Sequence, residues 1–252
     1  MQDFKYYAPT EVVFGKDAEE HLVEMINKYG GKKVLVHYGG HSAERSGLLA
    51  SVREKLNAAG IAFVELGGVK PNPRLTLVHA GIKLCRKENV DFILAVGGGS
   101  VIDSSKAIAY GVKYDGDVWD IYARKYVPTD MLPVGVILTI PAAGSEMSDS
   151  SVITKEDGDL KIGYSNNICR PKFAIMNPVR TFTLPPYQTA CGATDIMMHT
   201  MERYFGKVDD MTLIDNIAEA LMRTVKDSVF HVLENPEDYR NRACIMWASS
   251  LG

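Results

Sequence analysis

Directly behind the apolar run Asp-Phe-Ile-Leu-Ala-Val (91–96) stand three consecutive glycines, followed by Ser-Val-Ile-Asp-Ser-Ser-Lys (97–106 in all). An apolar run that stops at glycine and resumes with helical spacing is a strand turning sharply into a helix. The same grammar recurs upstream and downstream. Short β-branched runs at 33–38, 61–66, 91–96 and 134–138 alternate with the segments 47–59, 73–88 and 100–110. Those segments carry apolar residues at helical spacing (Leu48, Val52, Leu56; Leu77, Ile82, Leu84) and meet breakers such as Gly60. This alternation predicts βαβ units and a parallel sheet, an α/β Rossmann-like fold. Residues 149–164 read instead as a hairpin outside that sheet, because Val152-Ile153-Thr154 and Leu160-Lys161-Ile162 flank the turn Glu-Asp-Gly-Asp.

At Leu184-Pro185-Pro186 the strand-and-turn grammar ends and long helical patterns take over. We therefore expect an α/β domain over 1–184 and the start of an all-helical domain over 185–252. The last apolar helix, 241–251, ends the sequence without a polar tail, and we expect a C-terminal portion to be missing. With 252 residues, 46% hydrophobic and 23% charged, and a net charge of -3, the chain can bury a sizeable core. That charge offers no electrostatic case for nucleic acid or anionic lipid. Four cysteines without a C-x-x-C pair, no signal-peptide h-region and no membrane-length apolar stretch point to a cytoplasmic protein with reduced thiols.

If 91–96 is a buried strand, Gly97, Gly98 and Gly99 lie at its carboxyl end, where open α/β sheets bind ligands. Ser100 reads as an N-cap, with Asp103 completing a capping-box variant. Glycine N–H groups at a helix N-terminus suit phosphate oxygens, but a tight turn also calls for glycine, and both readings stand. The usual dinucleotide fingerprint is unmet: Ile102 replaces its third glycine, and the loop follows the third of the predicted strands. No Gly-Lys-Ser/Thr makes it a Walker A loop either. The first strand has its own turn, Gly39-Gly40-His41-Ser42, with no carboxylate before Glu44. A carboxylate there would bind a ribose 2′-hydroxyl and repel a 2′-phosphate. Its absence, beside His41, Ser42 and Arg45, favours NADP(H) over NAD.

Asp195 and His199 stand four apart in a helical stretch and share one face. They can contribute to a divalent Fe²⁺ or Zn²⁺ site, or form a helix pair worth about 0.3 kcal/mol. The spacing alone does not decide. A catalytic metal ordinarily takes three protein ligands, so other segments would have to add donors. His21, His37, His41, His79 and His231 read as surface or loop positions.

GGGSVIDSSK, LTIPAAGSEMS (138–148), TLPPYQTACGATDIMMHTMERYF (183–205) and NRACIMWASSLG (241–252) together resemble the iron-containing (group III) alcohol dehydrogenases. VLVHYGGHS (34–42) resembles the NADPH-dependent butanol dehydrogenase branch. The resemblance covers the whole chain, in order. It implies a dehydroquinate synthase-like architecture and hydride transfer between a nicotinamide and a small primary alcohol or aldehyde, with a divalent metal as Lewis acid. It further implies that Gly97, Gly98, Gly99 and Ser100 bind the pyrophosphate near Asp103, and that Gly39, Gly40 and Ser42 border the adenosine ribose. Thr139, Ser145 and Lys161 would line the cofactor site, and Leu184 would sit beside a ribose. Asp195 and His199 match the first two metal ligands. The other two are histidines with no counterpart here, and no catalytic residue is expected beyond the metal centre. A homodimer or larger homo-oligomer is also implied. Two alternatives follow: a catalytically inactive cofactor-binding fragment, and a glycerol dehydrogenase-like or dehydroquinate synthase-like relative.

Overall fold

A computed structural model describes residues 3–206 and 211–252. In chain order its elements are β1 (Glu11–Phe14), α1 (Leu22–Lys28), β2 (Lys33–Tyr38), α2 (Ser42–Arg45), α3 (Leu48–Ala58), β3 (Ala62–Leu66), α4 (Leu75–Glu88), β4 (Phe92–Gly97) and α5 (Gly99–Val112). Then follow α6 (Trp119–Tyr122), β5 (Val134–Leu138), β6 (Ser150–Lys155), β7 (Leu160–Ser165), β8 (Phe173–Met176), α7 (Pro186–Tyr204), α8 (Thr212–Glu234) and α9 (Tyr239–Leu251).

Six strands form one parallel sheet in the order β1-β8-β5-β4-β2-β3, and β6 and β7 pair antiparallel apart from it. The four predicted strands and the hairpin are therefore present. Two sheet strands, β1 and β8, were not anticipated. Each has four residues, and Glu11–Phe14 finds its partner Phe173–Met176 only through the fold.

Period-two alternation places the core on both faces of the sheet. Val34, Val36, Leu94 and Val96 pack with Leu49, Val52 and Leu56 of α3 on one face; Leu35, Ile93 and Ala95 pack with α4 and α5 on the other. The helix that follows β2 thus lies on the opposite face from the helix that follows β4. Between the carboxyl ends of these neighbouring strands the chain changes direction, which opens the crevice where such sheets take ligands. The two glycine turns meet there: a methyl carbon built on Gly39 would stand 3.8 Å from Val101 Cγ2 at the start of α5.

Beyond residue 186 the described chain is helical, with Ala193, Ile196, Val225, Val232, Ile245 and Ala248 in a separate cluster. Buried Arg242 ties α9 to α7 by donating to Thr189 Oγ1 at 3.0 Å. At Gly192 of α7 a Cβ would stand 2.5 Å from the Pro141 carbonyl, so glycine lets this helix lie directly on the loop after β5. Among the described residues no helix is long and apolar enough to cross a membrane, and all four cysteines are free thiols.

His37 departs from its expected surface position. It lies wholly buried in β2, with Nδ1 2.7 Å from the Leu66 carbonyl and Nε2 2.8 Å from Ser104 Oγ. The apolar residues on either side of it in β2 make room for one polar ring once both nitrogens are satisfied. Burial lowers its pKa to about 4. The folded pKa lies below the unfolded value, so this histidine's contribution is intact above pH ~6.5 and is lost as the pH falls towards 4. Between those values the unfolded chain takes up a proton that the folded chain refuses. Urea unfolding from pH 7 to 4 is expected to show a loss of about 3 kcal/mol from this group. H37Q, though less stable throughout, should lose that part of the slope; an unchanged slope would show that His37 does not titrate this way.

Candidate active-site cleft

Each of the three glycines after β4 meets a different demand. None has a positive φ, so backbone strain does not explain them. A Cβ on Gly97 would stand 2.5 Å from Val101 Cγ2, and one on Gly98 would stand 3.2 Å from Ile140 Cβ. Those two permit close packing of helix and loop on the strand. For Gly99 the nearest atom to a Cβ would be Ser145 Cβ at 3.9 Å, so nothing inside the protein requires glycine there.

The expected capping box is not formed. Helix α5 starts at Gly99 behind an extended Gly98, and no side chain caps it. Ser100 lies inside the first turn. Asp103 is instead turned towards the hairpin, accepting from Ser145 Oγ at 2.6 Å and from the Val152 amide at 3.0 Å. Burial raises its pKa, against the pull of Lys106 and of these two donors. The amides of Val101 and Ile102 donate to the Gly98 carbonyl at 2.9 and 3.2 Å, no side chain caps the first turn, and the Gly99 and Ser100 amides remain at the positive end of the helix dipole.

Lys106, one turn further along α5, was missed in the sequence. It is completely buried, and its Nζ donates to the carbonyls of Ser145 (2.8 Å), Ser148 (2.9 Å) and Ser150 (2.8 Å). Three acceptors match the three protons of an ammonium. Burial lowers its pKa while the nearby acidic groups oppose the shift. Glu146, in the loop that Lys106 binds, is also buried and joins that loop to α9 by accepting from Ser250 Oγ. The only sequence signal for either residue is a charge within a small-residue or apolar run, which also describes many solvated positions.

These elements enclose a cleft of about 590 Å³. Gly99, Ser100 and Asp103 line it from α5, Ser145 from the loop after β5, Lys161 from β7, and Asp195 and His199 from α7. Asn72, Asp149 and Arg203, which were not anticipated, line it too. Thr139 stands directly behind the glycine turn, its amide donating to the Gly97 carbonyl at 3.1 Å. Gly39 lies in the adjoining turn, where its carbonyl accepts from Gly68; Gly40 follows it, and Ser42 opens α2. Leu184 occupies the turn before α7, is half-buried and does not line this cleft.

Asp195 and His199 are half-exposed, with Oδ1 and Nε2 3.8 Å apart. The four-residue spacing itself is not distinctive, since Asp17–His21 and Asp227–His231 share it. What separates 195 and 199 is their place opposite the glycine turn. Two donors on one helical face do not complete a metal centre. Among the described residues no group of three or more His, Cys, Asp or Glu side chains could hold a metal ion.

Removing the buried ammonium in K106M would leave the carbonyls of 145, 148 and 150 without their donor. The variant is expected to lose about 3 kcal/mol or more in chemical denaturation. A loss below about 1 kcal/mol would show that water or a rearranged loop replaces the ammonium.

Residues 9–178 match the family "Iron-containing alcohol dehydrogenase", and residues 189–252 match "Fe-containing alcohol dehydrogenase family, C-terminal". NADH-dependent butanol dehydrogenase A of Clostridium acetobutylicum is 47% identical over 251 residues, covering 100% of this chain and 64% of that protein. The NADPH-dependent aldehyde reductase YqhD of Escherichia coli is 38% identical, covering 99% of this chain and 64% of the reductase. The crystal structure of NADH-dependent butanol dehydrogenase A from Thermotoga maritima superposes with a TM-score of 0.96 at 40% identity, over 100% of this chain and 63% of that one. The chain thus spans just under two thirds of the length of these relatives. Their agreement in sequence and fold along all of it makes the chain a member of the iron-containing alcohol dehydrogenase family.

Proposed function

We propose that this chain supplies the cofactor-binding part of an alcohol dehydrogenase or aldehyde reductase acting between NADP(H) and a small primary alcohol or aldehyde. One observation carries the reading: the open first turn of α5 and the Asp195–His199 pair face each other across a single cleft. The names of the relatives, butanol dehydrogenase and aldehyde reductase, supply the substrate class. In this reading the chain divides near residue 184 into a sheet domain and the beginning of a helical one.

Gly97, Gly98, Gly99 and Ser100 hold the pyrophosphate on the N-terminus of α5, where an uncapped first turn and the helix dipole favour an anion. Gly39, Gly40 and Ser42 border the adenosine ribose. Thr139, Ser145 and Lys161 orient the remainder of the dinucleotide, and Leu184 contacts a ribose. The bound nicotinamide supplies or accepts the hydride. Asp103 and Lys106 take no part in that step; they hold Ser145 in place. Asp195 and His199 contribute two donors to a metal, and the two further histidines that the resemblance implies have no counterpart within these 252 residues. NADP(H) is favoured because no carboxylate occupies the Gly39–Ser42 turn. Among relatives both preferences occur, NADH for the butanol dehydrogenases and NADPH for the reductase.

The 252-residue chain is expected to bind NADPH, seen as enhanced cofactor fluorescence, without reducing butanal in the presence of Fe²⁺ or Zn²⁺. Failure to bind either NADPH or NADH would overturn the assignment; turnover would show that two protein donors suffice. Gly99 gives a sharper test. Because nothing in the fold requires glycine there, G99A should unfold at the same or a slightly higher denaturant concentration than the parent chain. Its methyl group would stand against the pyrophosphate and weaken NADPH binding about tenfold or more, roughly 1.4 kcal/mol. Unchanged affinity would remove the pyrophosphate from this turn.

A further inference from the structure

Arg53, on the outward side of α3, makes four short contacts with two carboxylates. Its Nη1 and Nη2 donate to the two oxygens of Glu44 at 2.8 and 2.9 Å. Its Nε and Nη2 donate to those of Glu65 at 2.9 and 2.8 Å. Both are fork-to-fork pairs, the strongest geometry available to a guanidinium and a carboxylate. The three side chains are only partly exposed, at 30% for Arg53, 50% for Glu44 and 25% for Glu65.

The two acids flank the Gly39 turn. Glu44 lies on α2, two residues beyond Ser42, and is the first carboxylate after that turn. Glu65 sits near the carboxyl end of β3, in register with Val36 of β2. Two residues beyond β3, the Gly68 amide donates to the Gly39 carbonyl at 2.7 Å, which stitches the end of that strand to the turn. A free carboxylate at this place would accept the ribose 2′-hydroxyl of NADH and repel the 2′-phosphate of NADPH. Here both candidates are occupied by the same guanidinium.

We propose that Arg53 is a cofactor-specificity residue: by engaging Glu44 and Glu65 together, it withdraws both carboxylates from the adenosine ribose and opens the turn to a 2′-phosphate. The inference rests on the dinucleotide reading of the cleft. Arg53 touches no cofactor atom in this account and acts through the two acids. Its removal changes the local charge by one unit and frees acceptors for the 2′-hydroxyl, so the two cofactors respond in opposite directions.

The readout is the ratio of NADPH to NADH dissociation constants, which a purely structural loss would leave unchanged because both affinities would fall together. Titrations belong at low ionic strength, where charges near a surface are least screened. R53M is expected to move the ratio about tenfold or more towards NADH. R53K keeps the charge but cannot hold two carboxylates bidentately, so its ratio should move in the same direction as that of R53M and by less. E44Q removes one acid and leaves Arg53 less compensated, so its ratio should move towards NADPH. If R53M does not fold, as judged by its denaturation curve, E44Q decides alone. A parent chain that binds neither nucleotide overturns both the dinucleotide reading and this inference. A parent chain that binds, with R53M or E44Q showing no shift or a shift of opposite sign, overturns the role of Arg53 alone.

Discussion

Lys106 carries its charge into a space closed to water, and the cost of doing so is offset by three backbone carbonyls that converge on it from residues 145, 148 and 150. A loop lacking regular hydrogen bonds is thereby fixed at three points to the helix that begins at the glycine turn. Asp103 adds two more points, through Ser145 Oγ and the Val152 amide, and its own carbonyl accepts from Ser151 Oγ. The glycine turn, the loop after β5 and the hairpin form one piece. On that piece rests most of one wall of the cleft, while α7, seated on Pro141 by the bare face of Gly192, provides the other.

Within that wall, polar side chains are spent on architecture and the ligand is left to the backbone. Asp103 looks in sequence like a cap for its own helix, yet it serves the hairpin and so leaves the helix terminus open. Gly97 and Gly98 are explained by packing; Gly99 is not. An unused glycine and an uncapped terminus at one spot, both costly to a helix in isolation, are the local rule-breaking that marks functional positions.

Much of this was legible beforehand, and the pattern of failures is physical. Strands 33–38, 91–96 and 134–138 are long, apolar and bounded by glycine or proline, so their signal is local. Glu11–Phe14 and Phe173–Met176 carry too few residues to show a period, and each becomes a strand because of the other. The buried His37 escaped because nothing in Val-Leu-Val-His-Tyr announces that Ser104 and the Leu66 carbonyl will satisfy both ring nitrogens. Lys106 escaped for the same reason: three carbonyl partners do not appear in a residue pattern. The Asp195–His199 pair was found by a spacing that two other pairs share, and the whole motif around it supplied the discrimination. Of the expected cofactor residues, Gly99, Ser100, Asp103, Ser145 and Lys161 line the cleft, whereas Gly39, Gly40, Ser42, Gly97, Gly98, Thr139 and Leu184 do not.

The pairing of β1 with β8 has a consequence for how such a chain is made. The sheet's outermost strand belongs to residues 11–14, yet the partner that gives it a ladder arrives with residues 173–176; Thr10 marks the same junction by donating to the Pro171 carbonyl, 161 positions away. During synthesis the N-terminal segment must wait, unpaired, while the whole βα series and the hairpin emerge. Contacts of this span are slow to close. Strand β1 can therefore gain its ladder only once residues 173–176 are present beside it.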